Sequence, residues 1–242
     1  MTPAAATPGS EPAIVGAVRA ALAGAGDPER ALAQQAYMKS ALPYRGLTAP
    51  ELGRLLRPVL ADASLAPASR EEWEVAVRAL WDHPTHREER YAAHALTGHR
   101  VARAWQDPDA LPLYRHLVET GAWWDHVDAL AADRVGPILL SHRATVTPVM
   151  RAYAVDGHLW VRRTAILAQL KHGAATDLDL LTDVLDANLE DSLHGREFFV
   201  RKAVGWALRQ HARVDPAWVR AYVANRADRL SGLSRREALK HL

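Results

Sequence analysis

The chain predicts an all-helical fold, a solenoid of antiparallel helix pairs, and three observations carry that expectation. Apolar residues recur at three-to-four spacing nearly throughout the 242 residues, which is the period of an amphipathic helix, and no run of β-branched alternation suggests a sheet. Breaks rich in Pro, Gly and Asp arrive about every 12–20 residues, which is too often for long helices. Counting between breaks gives about a dozen short helices with tight connections, and helices of that length in series stack as antiparallel pairs.

In chain order, Ile14, Val15, Val18, Ala21 and Leu22 make the first apolar stripe, closed by Gly26-Asp27-Pro28. Asp27 before Pro28 is a helix start, because Asp caps free N–H groups and Pro suits the first helical position. Further breaks fall at Pro43 and Pro67, and the stripe Trp73, Val75, Val77, Leu80, Trp81 ends at His83-Pro84. Asp107-Pro108, Gly136-Pro137, Asp156-Gly157 and Gly173 divide the middle of the chain. Leu178, Leu180, Leu181, Val184, Leu185 and Leu189 make a later stripe before Gly195, and Asp215-Pro216 is a second Asp-Pro start. Helix pairs repeat at roughly 35–45 residues, the range of HEAT and armadillo repeats, whose inner curve is a binding surface. No linker interrupts residues 10–242, so the reading is a flexible N-terminus over residues 1–10 and a single solenoid domain over residues 11–242.

Composition narrows the function classes. Without Cys, disulfides, thiolate metal sites and Cys nucleophiles are excluded, and a reducing compartment fits. The first dozen residues lack the basic and apolar regions of a secretory signal, and no apolar run nears a membrane span, so a cytoplasmic protein with no membrane contact is expected. Of twelve His, His83 and His86 flank Pro84 while His94 and His99 are five apart; neither pair makes a ligand face, and no metal is expected. There is no Gly-rich phosphate loop and no nucleophile elbow, and no cofactor is implied. Net charge is only +2, yet residues 177–191 hold six acids and no Lys or Arg, while residues 196–242 carry a net +7. That segregation makes a basic C-terminal face available to a polyanion, or simply a solvated surface.

Three segments carry chemistry. Eight Trp against two Phe favour broad faces suited to cations or bases, although most Trp serve the core. In Trp123-Trp124-Asp125-His126-Val127-Asp128, helical spacing puts Trp124 and Asp128 on one face. Trp123 and Trp124 diverge by about 100°, so one belongs to the core and the other to a site. Asp125 lies in the first turn, where it complements the helix dipole; Asp128, a turn further in, reads by itself as a surface residue or an ion-pair partner. In Trp160-Val161-Arg162-Arg163, an arginine one turn from an indole could lie against it and still reach a phosphate; a solvated basic pair is the plainer reading. In the segment 198–206, Arg201 and Lys202 flank a buried stripe. Gly205 before Trp206 costs ~1 kcal/mol relative to Ala inside a helix, which implies close approach of another backbone or a ligand.

Together with Gln35-Ala36-Tyr37-Met38-Lys39, Leu80-Trp81-Asp82 and Leu233-Ser234-Arg235-Arg236-Glu237-Ala238-Leu239-Lys240-His241, these segments closely resemble the AlkD family of bacterial DNA alkylation-repair glycosylases. The likeness runs in unbroken order from about residue 30 to the C-terminus. The resemblance implies a right-handed solenoid of HEAT-like antiparallel helix pairs that grips duplex DNA in a concave basic groove. It also implies excision of cationic N3- and N7-alkylpurines without base flipping, by a monomer, in base excision repair or in self-resistance to an alkylating natural product. Carried over by position, the family's carboxylate falls on Asp128 and its lesion-side tryptophans on Trp124 and Trp206. Its arginine falls on Arg163 and a lesion-facing tyrosine on Tyr37; Lys39, Arg162 and Lys202 are further candidates for contact with DNA. A few extra residues before Gly195 are the departure. A non-catalytic scaffold that binds nucleic acid or protein is the competing reading, and it predicts no carboxylate at the centre of the groove.

A physical rationale accompanies the carry-over. A cationic purine is already a good leaving group, so the remaining demand is to stabilise an oxocarbenium-like sugar and admit water. A carboxylate ~4 Å from that cation at an effective dielectric of ~20 contributes roughly 4 kcal/mol, or about a thousandfold in rate.

Overall fold

Residues 11–242 are described by a computed structural model; the expected flexible segment 1–10 lies outside the described residues. The regular elements of the described residues are helical throughout, as the periodicity predicted. The described residues divide into two compact units, one ending at Trp105 and the other running from Gln106 to Leu242.

The first unit contains α1 (Ala13–Leu22), α2 (Pro28–Met38), α3 (Ala49–Ala61), α4 (Arg70–Asp82) and α5 (Arg87–Thr97). Side chains start three of these helices. Asp27 accepts from the Arg30 N–H at 3.0 Å, Thr48 and Glu51 form a reciprocal capping box, and Ser69 accepts from the Glu72 N–H at 3.2 Å; each satisfies donors that a helix start leaves free. Helix α1 packs on α3 and α4, and α4 packs on α5. Trp73 and Trp81 are fully buried between them, with the Trp73 indole N–H donating to the Leu96 carbonyl at 3.1 Å. Val75, placed on the same stripe by the sequence reading, is instead exposed, because two residues of helix turn it about 200° from Trp73.

The second unit contains α6 (Leu111–Gly121), α7 (Trp124–Leu130), α8 (Gly136–Ser141), α9 (Arg143–Ala154) and α10 (Leu159–Leu167). It continues with α11 (Leu178–Asp186), α12 (Phe198–His211), α13 (Pro216–Asn225) and α14 (Gly232–Ala238). The break expected at Gly136-Pro137 is absent. A π-helical stretch, Ala131–Val135, joins α7 to α8 without leaving helical dihedrals. The Gly136 N–H reaches back five residues to the Ala131 carbonyl, and this widened turn accommodates a proline that a plain α-helix would exclude. Helix α10 is buried from Trp160 to Leu167 and packs against α6, α7, α9, α11 and α12, so it is the axis of this unit.

The charge segregation of the sequence is largely undone in space. Asp186 accepts from the Tyr222 hydroxyl at 2.7 Å and from Arg226 Nη2 at 2.6 Å. Asp191 pairs with Arg229 at 3.0 Å, and Asp183 pairs with Arg151 at 2.8 Å. Much of the acidic segment therefore neutralises arginines of α9 and of the C-terminal region, and those arginines are not a free cationic face.

Candidate active site

Asp128 projects from the last turn of α7, directly before the π-helical stretch, which is a helix distortion common at functional sites. Its carboxylate is held by Arg163 of α10 in a two-pronged pair: Nε donates to Oδ1 at 2.7 Å and Nη2 to Oδ2 at 2.8 Å. The remaining terminal nitrogen of Arg163 donates to the Phe199 carbonyl, in the first turn of α12. Arg163 is buried and Asp128 is half-buried. Burial pushes the Asp128 carboxyl above its ordinary value; the Arg163 guanidinium opposes that push without cancelling it, and Asp125 adds to it. An arginine partner here does not make the carboxyl unusually acidic, because desolvation dominates.

A cleft of about 380 Å³ opens on this pair, lined by Trp124, Asp128, Arg163, Phe198, Phe199, Lys202, Trp206 and Arg209. Trp124 is in the cleft as the i, i+4 spacing from Asp128 required. Trp123 turns instead into an aromatic cluster, its ring 5.4 Å from Phe199 and 6.1 Å from Trp160. Trp160 and Phe199 close the cluster at 5.0 Å, so the two Phe of the chain stand at this one place with Phe198 5.4 Å from Phe199. The Arg163 guanidinium lies 5.9 Å from the Phe199 ring centre.

Trp206 faces the cleft from α12, and the glycine before it has the reason its sequence demanded. A Cβ on Gly205 would lie 2.5 Å from the Glu237 Cβ and 3.0 Å from the Ser234 carbonyl oxygen, so the neighbour is the backbone of α14. That close approach delivers Glu237 between two cations of α12. Lys202 Nζ pairs with its Oε1 at 2.7 Å and Arg209 pairs with Oε2. The Lys202 hydrogen bond, with Arg209 nearby, holds the Glu237 carboxyl below its ordinary value.

Two arginines need correction. Arg163 is not presented as a free phosphate ligand, since its N–H groups are engaged by Asp128 and the Phe199 carbonyl and the residue is buried. Arg162 is buried too. It donates to the Val155 carbonyl at 3.0 Å, the Ala187 carbonyl at 3.2 Å and Asn188 Oδ1 at 3.4 Å. It thereby ties the end of α9 to the end of α11, and it offers no surface to DNA. The plainer reading of a solvated basic pair fails with it. Both side chains leave a buried helix, and each is retained by acceptors that would otherwise be unpaired.

Comparison with known proteins now bears on this geometry. A family profile described as "DNA alkylation repair enzyme" matches residues 18–242. The chain belongs to the DNA alkylation repair enzyme family. A solved structure described as a predicted DNA alkylation repair enzyme from Enterococcus faecalis is similar, with 29% sequence identity and a TM-score of 0.75. The likeness covers 90% of this chain and 96% of that one. No curated protein matches. For this member of the family, no helix among the described residues is long and apolar enough to cross a membrane.

The remaining candidates lie in the first unit. Tyr37, in the last turn of α2, is 77% exposed and lines a cleft with Gln34, Met38, Tyr44, Leu52 and Tyr91. Lys39 follows it in the left-handed conformation, φ 49°, as the residue that ends the helix. Sequence reasoning missed the Glu237 bridge and the Phe199 carbonyl. The Gly205 anomaly pointed towards the first, while nothing in a sequence marks a carbonyl as an acceptor.

Proposed function

We propose that this DNA alkylation repair enzyme is a monofunctional glycosylase that hydrolyses the N-glycosidic bond of cationic N3- and N7-alkylpurines in duplex DNA, without base flipping. The observation that carries the reading is the Asp128 carboxylate, held by one buried guanidinium in a cleft walled by Trp124 and Trp206. A developing oxocarbenium ion needs a fixed negative charge and aromatic faces around it, in a place of reduced dielectric. Arg163 then acts as the positioning residue that holds the carboxylate in place, and Lys202 and Arg209, which share the one Glu237 carboxylate, leave a net positive charge on the rim for a flanking phosphate. Tyr37 and Lys39 are proposed to contact the duplex. No bulky pocket has to enclose the base, so large N3-alkyl groups are accepted as well as methyl, which suits either general repair or self-resistance.

The lining of this cleft offers no group suited to protonate a neutral base at neutral pH: Arg and Lys are poor acids there, Trp is not one, and the proposed role of Asp128 requires its carboxylate ionised beside Arg163. The protein is therefore expected to release 3-methyladenine, 7-methylguanine and a bulky N3-adenine adduct from otherwise identical duplexes, and to leave uracil and hypoxanthine in place. Base release measured on that set tests the reading. Efficient loss of uracil or hypoxanthine would reveal an overlooked general acid, and no release from any duplex would return the chain to a binding role.

A further inference from the structure

Asp128 and Trp206 belong to two clefts. Besides the aromatic cleft, they line a second of about 290 Å³ together with Ala129, Ala132, Leu170 and Gln210, and with Lys171 and Asp133 paired beside them. We propose that this second cleft is the water side of the site, and that the Gln210 side-chain amide, with Asp128, positions the water that attacks the sugar. The inference rests on the glycosylase reading above.

Four features support it. The first cleft has the aromatic rings and rim cations that suit a base and phosphates, whereas the second is floored by the small side chains of Ala129 and Ala132 and has room for several waters. Each Asp128 oxygen accepts one bond from Arg163; since a carboxylate oxygen accepts two, capacity remains for a water. Gln210 follows Trp206 by one helical turn and so shares its face, and its half-buried amide meets no protein hydrogen-bond partner among the described residues. Finally, Leu170 and Gln210 also line a small, partly open cavity of about 60 Å³. His211 borders that cavity, more than nine-tenths buried, with neither ring nitrogen paired to protein. A small space with orphaned polar atoms suits ordered water, and Gln210 lines both this space and the cleft at Asp128.

In the step itself the water donates one hydrogen bond to Asp128 and the other to Gln210 Oε1, which leaves a lone pair for C1′. The O–C1′ bond forms as the C1′–N bond breaks. The electron pair leaves with the purine and cancels its ring charge, while the water proton passes to Asp128 and then to solvent.

The test follows single-turnover excision of 7-methylguanine from duplex DNA in water–methanol mixtures, with the abasic sugar and the methyl glycoside measured separately. Gln210→Ala is expected to slow excision about tenfold, equivalent to one lost transition-state hydrogen bond, with unchanged duplex affinity. It is also expected to raise the methanol-to-water product ratio about threefold, because an unpositioned nucleophile is selected less strictly. Gln210→Asn should fall between, and Ala129→Leu, which fills the second cleft from its floor, should slow excision in the same way. Should Gln210→Ala fail to fold by circular dichroism, the rate and product ratio of Ala129→Leu decide. A slower Gln210→Ala with an unchanged product ratio means a merely structural role and overturns the proposal, as do wild-type rates in both variants. A wild-type protein inactive on every lesion removes the glycosylase reading instead, and this inference with it.

Discussion

Two carboxylates, one in each compact unit, have arginine partners and are shifted in opposite directions. Glu89 of α5 is fully buried. Burial pushes its carboxyl up, yet the Thr85 hydroxyl, Arg19 and the Thr85 N–H together outweigh that and leave it below the ordinary value. Asp128 has its guanidinium as well, but burial prevails and its carboxyl is raised. The difference lies in the other donors. Glu89 sits in the first turn of its helix, where backbone and capping groups supply hydrogen bonds, whereas Asp128 is well inside a continuous helix and has Asp125 one turn away. A carboxylate saturated by its surroundings serves the fold. One held by a single side chain and bordered by open clefts keeps capacity for a ligand.

The comparison is broken most severely at Asp128. Asp128→Asn is expected to reduce single-turnover excision by up to about a thousandfold, the worth of one close charge at a developing cation, while duplex affinity is retained. Wild-type excision by this variant would remove Asp128 from the mechanism. The proposed chemistry needs Asp128 ionised, so excision should decline as pH falls, with a midpoint above the usual carboxylate value of ~3.9.

Arg163→Ala tests whether the guanidinium serves the carboxylate or the DNA. Without it Asp128 loses the influence that opposes burial, so the acid limb of the rate profile should move to higher pH. Excision at neutral pH should drop by roughly ten- to a hundredfold, about 1.4–2.8 kcal/mol. A phosphate ligand would instead contribute ~0.9 to the slope of log K against log salt. Binding titrations across salt concentrations should show that slope unchanged, and a flatter one would restore the phosphate role.

Glu89→Gln should act on stability alone, lowering it by about 1–3 kcal/mol through buried donors left poorly paired, with excision by the folded protein unchanged. Because the Glu89 carboxyl is more acidic in the folded state, its stabilisation is present above the unfolded value of ~4.3 and is lost as pH falls through the lower folded one. Thermal melts of both proteins should therefore converge in acid, and a constant gap would mean that the loss is one of packing.

Asp125→Asn is the mildest change. As a first-turn acid it contributes ~0.3–1 kcal/mol to its helix, and removing its charge relieves the upward push on Asp128. Excision should stay within about threefold of wild type, with the acid limb moved slightly to lower pH. A loss as large as that of Asp128→Asn would put both carboxylates into the chemistry.

What the sequence by itself determined was local. Three-to-four periodicity dictated helices throughout, and Asp27-Pro28 and Asp215-Pro216 start α2 and α13 as their capping chemistry requires. The i, i+4 spacing put Trp124 beside Asp128, and the glycine at 205 announced a close neighbour before that neighbour was known. Tertiary structure alone decided which partner each charge receives. Arg162 and Arg163 are adjacent in the chain, yet successive helical positions diverge by about 100°, so one ties two helix ends together and the other grips Asp128. The acidic segment and the basic C-terminal region, read as separate faces, cancel in part through Asp186–Arg226 and Asp191–Arg229. Coulomb attraction acts through space between side chains some 40 residues apart, and sequence order carries no measure of that distance.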